Sequence, residues 1–180
     1  MTKKKIGVLG AGTWGMALAR MLCVSGNEVQ VWSALPAEVD SLSAARVHPN
    51  LPGMKIPAEL QFTKSIEEVC KGKDILLFAV PSVFVRSTAA KARPYVADGQ
   101  IIVDVAKGIE PDTLYTMTEI LADELGKEIQ VENMSFDYLL TSLAKGDFDI
   151  VMAAIEVTPE RLQSADFSDP YYTCLLYTSP

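Results

Sequence analysis

Glycines at positions 10, 12 and 15, in the run GVLGAGTWG, have a spacing that suits one kind of chemistry: close approach of the backbone to a pyrophosphate. Gly10 permits a tight turn out of a strand, Gly12 lets phosphates near the main chain, and Gly15 lets the next helix lie on the sheet. A helix opening near Thr13 points its N–H groups and positive dipole end at the same place. The pattern alone is weak. Here it follows an apolar stretch, opens an apolar helix and lies near the start of the chain, which is the context a dinucleotide site requires. The plain alternative is a glycine-rich turn that holds nothing.

Three other stretches belong beside it. A second strand ends in VQVWSALPAE, where the ribose of such a cofactor is read. No carboxylate precedes Glu38 and no arginine is present, so NAD and NADP both stay open. AVPS (Ala79–Ser82) and DVAKGIE (Asp104–Glu110) fall at carboxyl ends of later strands, where open α/β sheets bind ligands. Lys107 is the cation there, able to bind an anionic substrate or polarise a carbonyl. The alternative is a solvated loop lysine.

These residues need a frame, and the pattern supplies one. Apolar strands are predicted at Ile6–Leu9, Glu28–Trp32, Leu60–Thr63, Asp74–Val80 and Gln100–Val105. Helices are predicted at Thr13–Ser25, Pro36–Arg46, Ser65–Cys70, Pro81–Ala92 and Thr113–Leu125. HPNLPGMKIP reads as a Pro/Gly loop. Regular alternation implies an α/β fold of Rossmann type, a doubly wound parallel sheet covered on both faces. After Gly126 the texture changes to a smaller unit, Ile129–Glu132, Phe136–Ala144 and Asp149–Ala153, read as an incomplete α/β fragment.

Composition narrows the classes. The 180 residues suffice for one domain and a fragment, and 49% are apolar, which is globular rather than disordered. A net charge of −7 argues against a nucleic-acid partner. Cys23, Cys70 and Cys174 have no metal-ligand spacing, and His48 is the single histidine, so no metal site is expected. Ile6–Leu9 is too short for the apolar core of a signal peptide and ILLFAV far too short for a membrane span, so a cytoplasmic protein is expected.

Three stretches together, VLGAGTWGMALARML, VWSALPAEVDSLSAARVHPNLPGMKIP and VDVAKGIE, resemble the bacterial NAD(P)-dependent glycerol-3-phosphate dehydrogenases, from about Lys4 to about Leu121. The resemblance implies that Thr13 and Trp14 contact the dinucleotide beside Gly10, Gly12 and Gly15, and that Lys107 touches cofactor and substrate. It implies hydride transfer between glycerol 3-phosphate and dihydroxyacetone phosphate, in glycerol phosphate metabolism and phospholipid biosynthesis. Ala34 stands near where many relatives carry a basic residue, so no NADP preference follows. The family's Gly-Pro-Ser segment and the lysine of its helical domain that accepts the proton do not follow KGIEPDTLYTMTEILADEL. Turnover by these 180 residues is therefore not expected.

The next stretch, GKEIQVENMSFDYLLTSLAKGDFDIVMAAIEVTPERLQSADFSDPYYT, is similar to part of a lobe of the extracellular amino-acid-binding proteins of ABC importers. That likeness implies that Arg161 grips a ligand carboxylate; a surface arginine in a broken lobe is the alternative. CLLYTSP (174–180) resembles a translated sequencing adapter. The expected organisation is a dinucleotide domain over 1–120, a junction at 121–126, a lobe fragment over 127–173 and a non-native tail over 174–180. A chimeric translation with no function of its own is one reading of this arrangement.

Overall fold

The structure is a computed structural model and describes residues 3–128, 138–146, 155 and 157–167. Five strands build one sheet: β1 (Lys5–Leu9), β2 (Glu28–Trp32), β3 (Gln61–Thr63), β4 (Ile75–Phe78) and β5 (Ile101–Asp104). Their order is β3-β2-β1-β4-β5 and every pairing is parallel. β1 lies in the middle, with Ile6 beside Val29 on one side and Ile75 on the other. The chain therefore winds outward twice from β1, as the alternating pattern predicts.

Side-chain alternation along the strands divides the core into two layers. On one face Ile6, Val8, Val31 and Leu77 pack with Met16, Leu18 and Ala19 of helix α1 (Thr13–Val24). On the other, Leu9, Trp32, Leu76 and Phe78 meet α3 (Ile66–Cys70), α4 (Val85–Ala92) and α5 (Met117–Leu125). α2 (Pro36–Ala45) adds Leu42 to the first layer. Gly7 explains how close the second layer sits: a Cβ there would lie 1.9 Å from the carbonyl oxygen of Val69. The backbone of α3 thus rests directly on β1.

Two predicted helices start later than the apolar pattern implies. The stretch after Pro81 enters as a 3-10 turn (Ser82–Phe84) before α4. α5 begins at Met117, not Thr113, because Thr116 caps it: Glu119 N–H donates to Thr116 Oγ1 at 3.3 Å and Thr116 N–H to Glu119 Oε2 at 2.7 Å. Residues before the cap turn back instead, with Ile109 bridged to Thr116. Met117, Ile120, Leu121 and Leu125 bury one face of α5 in the same compact unit as the sheet, which runs Met1–Ile129.

Gln130–Pro180 forms a second unit. Its described parts are α6 (Leu139–Lys145), closed by Gly146 at φ 81°, and a 3-10 turn at Arg161–Gln163. The strands expected at Ile129–Glu132 and Asp149–Ala153 lie outside the described residues.

Candidate functional site

The site is built at the carboxyl ends of β1, β4 and β5. Gly10 leaves β1 at φ 124°, a backbone that side-chain-bearing residues rarely adopt, and its N–H donates to Trp32 O at the end of β2 at 2.9 Å. A Cβ on Gly10 would lie 2.6 Å from Ala79 O, so the turn is pressed against the exit of β4. A Cβ on Gly15 would lie 2.2 Å from Gly10 O, which seats the first turn of α1 on the glycine loop.

Gly12 is different. Nothing lies within 4 Å of where its Cβ would be. It is the N-cap of α1, the first intrahelical bond runs from Met16 N–H to Gly12 O at 2.9 Å, no side chain caps this end, and no acidic residue occupies its first turn. An open, positively polarised helix end beside an empty Cβ position fits a pyrophosphate. Gly12, Thr13 and Trp14 are exposed around it while Gly15 is buried. The five residues expected from the sequence thus form one turn, three on its open side and two in its packing.

The other two stretches arrive at the same edge. Ala79–Ser82 follows β4, and Lys107 follows β5. Gly108, at φ 150°, places its Cβ position 3.0 Å from Ser82 Cβ, so the two loops touch. Lys107 is exposed, and its ammonium has no carboxylate partner among the described residues. Lys3, Lys64, Lys71 and Lys127 are all ion-paired. Phe84, 54% exposed in the turn before α4, adds an apolar surface to this edge that no sequence pattern announces.

What holds the Lys107 loop was not legible beforehand. Asp104 Oδ1 accepts the Ala106 N–H at 2.9 Å and Oδ2 accepts the Thr118 hydroxyl at 3.2 Å; burial nevertheless pushes its carboxyl above the usual range. On the far side of Lys107, Arg86 of α4 grips Glu110 with two bonds of 2.8 and 2.7 Å. The same guanidinium reaches Asp123 at 2.8 Å and Glu124 at 2.7 Å on α5. Hydrogen bonds from Arg86, then from Thr113, hold the Glu110 carboxyl down at about 2. The signal available in sequence was slight: acids three residues before and three after Lys107, with no indication of their partner.

His48, Cys23 and Cys70 serve structure. His48 is buried, and its Nδ1 accepts the Asn50 N–H at 3.2 Å, shaping the turn of the HPNLPG loop. Cys23 and Cys70 are buried free thiols, and burial raises Cys70 to about 11. Among the described residues no group of three metal-ligating side chains occurs, and no helix is long and apolar enough to cross a membrane. Arg161 sits in the second unit, its N–H on Thr158 Oγ1 at 3.3 Å.

A parallel sheet with an open helix end at its switch point, flanked by a lysine loop, is a dinucleotide-binding architecture. The family model of the N-terminus of NAD-dependent glycerol-3-phosphate dehydrogenase matches residues 5–154. The chain belongs to this dehydrogenase family. It is 68% identical over 132 residues to glycerol-3-phosphate dehydrogenase (NAD(P)+) 2 of Lactobacillus delbrueckii subsp. bulgaricus, covering 73% of this chain and 39% of the relative. The enzyme of Agathobacter rectalis is 48% identical over 122 residues, covering 67% and 36%. A solved glycerol-3-phosphate dehydrogenase from Coxiella burnetii superposes with a TM-score of 0.65 at 30% identity, over 69% of this chain and 38% of that one. The chain thus spans about two fifths of the length of these dehydrogenases. The family match also passes through residues 121–126, which here form the last turn of α5 and its Gly126 cap.

Proposed function

We propose that this chain supplies the dinucleotide-binding half of an oxidoreductase that interconverts sn-glycerol 3-phosphate and dihydroxyacetone phosphate with NAD(P). The observation that carries the reading is the open end of α1 at Gly12, set against two touching loops that carry Ser82 and Lys107. Gly10 and Gly15 fix the turn; Gly12, Thr13 and Trp14 face the pyrophosphate. Lys107 holds the substrate's anionic or carbonyl oxygen at the nicotinamide end and touches the cofactor. The dinucleotide, when bound, carries the hydride; the chain's residues bind and orient. The proton acceptor and the rest of the substrate pocket are parts this reading assigns to the helical domain of the full-length enzyme, and the setting is the cytoplasm.

Three measurements test it. The 180-residue polypeptide should bind NADH or NADPH, seen as a change in nicotinamide fluorescence, and should not oxidise glycerol 3-phosphate. Lys107→Ala in a full-length enzyme carrying this domain should lower kcat/KM by about a hundredfold or more. Absence of any dinucleotide binding, or turnover by the 180 residues alone, would overturn the corresponding half.

A second reading concerns residues 127–173. It rests on the likeness of the stretch from FDYLLTSLAKGDFD to TPERLQSADFSDPYY to a lobe of an amino-acid-binding protein, with Arg161 as carboxylate contact. It predicts that an amino acid raises thermal stability of the chain and that Arg161→Ala abolishes the effect. A sequencing read spanning codons 100–140 on single DNA molecules separates a genuine fusion from a false join.

A further inference from the structure

We propose that Glu38 makes this site select NAD(H) against NADP(H); the inference rests on the dinucleotide reading above. In sequence Glu38 stands six residues beyond the last residue of β2, too far to be read as the ribose carboxylate. The fold brings it back. Trp32, the last residue of β2, accepts the N–H of Gly10 at 2.9 Å, so the next residue, Ser33, borders the phosphate-binding turn. Ser33 is buried, and its hydroxyl donates to Glu38 Oε2 at 2.5 Å. Ser33 Oγ in turn accepts the Leu35 N–H at 3.1 Å, which folds the connection tightly. Glu38 lies in the first turn of α2, where the helix dipole favours a carboxylate, and its N–H bonds Leu35 O at 3.0 Å. The carboxylate is thereby delivered to the end of β2, with Oε1 left unengaged among the described residues.

A charge at that position decides between two cofactors that differ by one phosphate. A carboxylate accepts from the ribose 2′-hydroxyl and repels a 2′-phosphate. The connection from β2 through α2 carries no counter-charge for the phosphate. Between Glu28 and Ala45 there is no lysine or arginine. Arg46 lies just beyond α2 and donates to the carbonyls of Pro57 at 3.2 Å and Leu60 at 2.7 Å, before the start of β3 and therefore away from the strands' carboxyl ends. Lys64, just after β3, is paired with Asp40 at 2.6 Å. The fold also contains a control. Thr63 at the end of β3 makes the same arrangement, its hydroxyl on Glu68 at 2.6 Å and its oxygen on the Ser65 N–H at 3.0 Å. That copy belongs to an outer strand with no bond to the glycine turn, so it closes the strand-to-helix connection without reading a ribose.

The test is the ratio of dissociation constants for NADPH and NADH on the full 180-residue chain. The wild type should favour NADH by about tenfold or more, and Glu38→Gln should bring the two within about threefold, chiefly by tightening NADPH. Glu68→Gln should leave the ratio unchanged. Should Glu38→Gln not fold, the wild-type ratio itself is informative, since it should narrow as salt rises from about 0.05 to about 0.5 M. Equal binding of both cofactors by the wild type, or a ratio insensitive to both Glu38→Gln and salt, overturns the inference. Binding of neither cofactor overturns the dinucleotide reading as well, which keeps the two failures distinct.

Discussion

Three glycines of one motif do three different physical jobs, and substitution separates them. Gly12 has φ −66° and ψ 175°, an extended conformation open to any residue, with free space at its Cβ position. Gly12→Ala should therefore change stability by no more than about 1 kcal/mol, while the methyl occupies the place of the phosphates and weakens NADH binding at least about tenfold. Gly10 has neither freedom: its φ is 124° and a Cβ would meet Ala79 O at 2.6 Å. Gly10→Ala should lower stability by about 1–3 kcal/mol and reduce binding with it. Urea denaturation beside a fluorescence titration of each variant distinguishes a lost contact from a lost fold. Equal damage from both substitutions would show that the open space at Gly12 plays no part in binding.

Among the elements, the loop from Asp104 to Thr116 depends most on its neighbours. It carries Lys107 and is pinned at Asp104 by its own backbone and at Glu110 by Arg86 of α4. The Glu110 carboxyl is lowered from 4.5 to about 2, so the fold favours its ionised form. Its contribution is complete above pH 4.5 and is lost as the pH falls toward 2. The stability gap between wild type and Glu110→Gln, read from urea midpoints, should be full at neutral pH and close progressively below 4.5. A gap that persists unchanged into that range would mean that the carboxylate charge is not what Arg86 reads. Thr116→Ala removes the capping box of α5 and should cost about 1 kcal/mol, measured the same way.

At the scale of the molecule, the two apolar layers meet across β1 and β4, and Phe78 is the largest fully buried side chain among the described residues. It lies one residue before Ala79, whose carbonyl backs the glycine turn. Phe78→Ala should destabilise the sheet unit by about 3–5 kcal/mol. The loss should appear as a lowered urea midpoint of the whole unit, because the same layer holds Trp32, Val85 and Ile120. A midpoint unchanged by this substitution would show that the second layer does not hold the sheet together.

The sequence alone determined the order of elements, the parallel sheet and the glycine turn. Each is encoded locally: strand and helix periods are read within a window of residues, and Gly10, Gly12 and Gly15 sit in one turn. Helix starts were less legible, since the apolar period of 113–125 continues past a cap that only Thr116 and Glu119 together define. Tertiary structure decided the contacts that span the sheet. Parallel register sets the exits of β1, β4 and β5 side by side, and only then do Gly10 and Ala79, or Ser82 and Gly108, touch. Arg86 finds Glu110 from 24 residues away because α4 and the loop after β5 share one face. Glu38 was visible as a residue but not as a ribose reader, because Ser33 and the first turn of α2 carry it back to the strand end. Distance along the chain hid these partners, and the packing of helices on a parallel sheet brought them together.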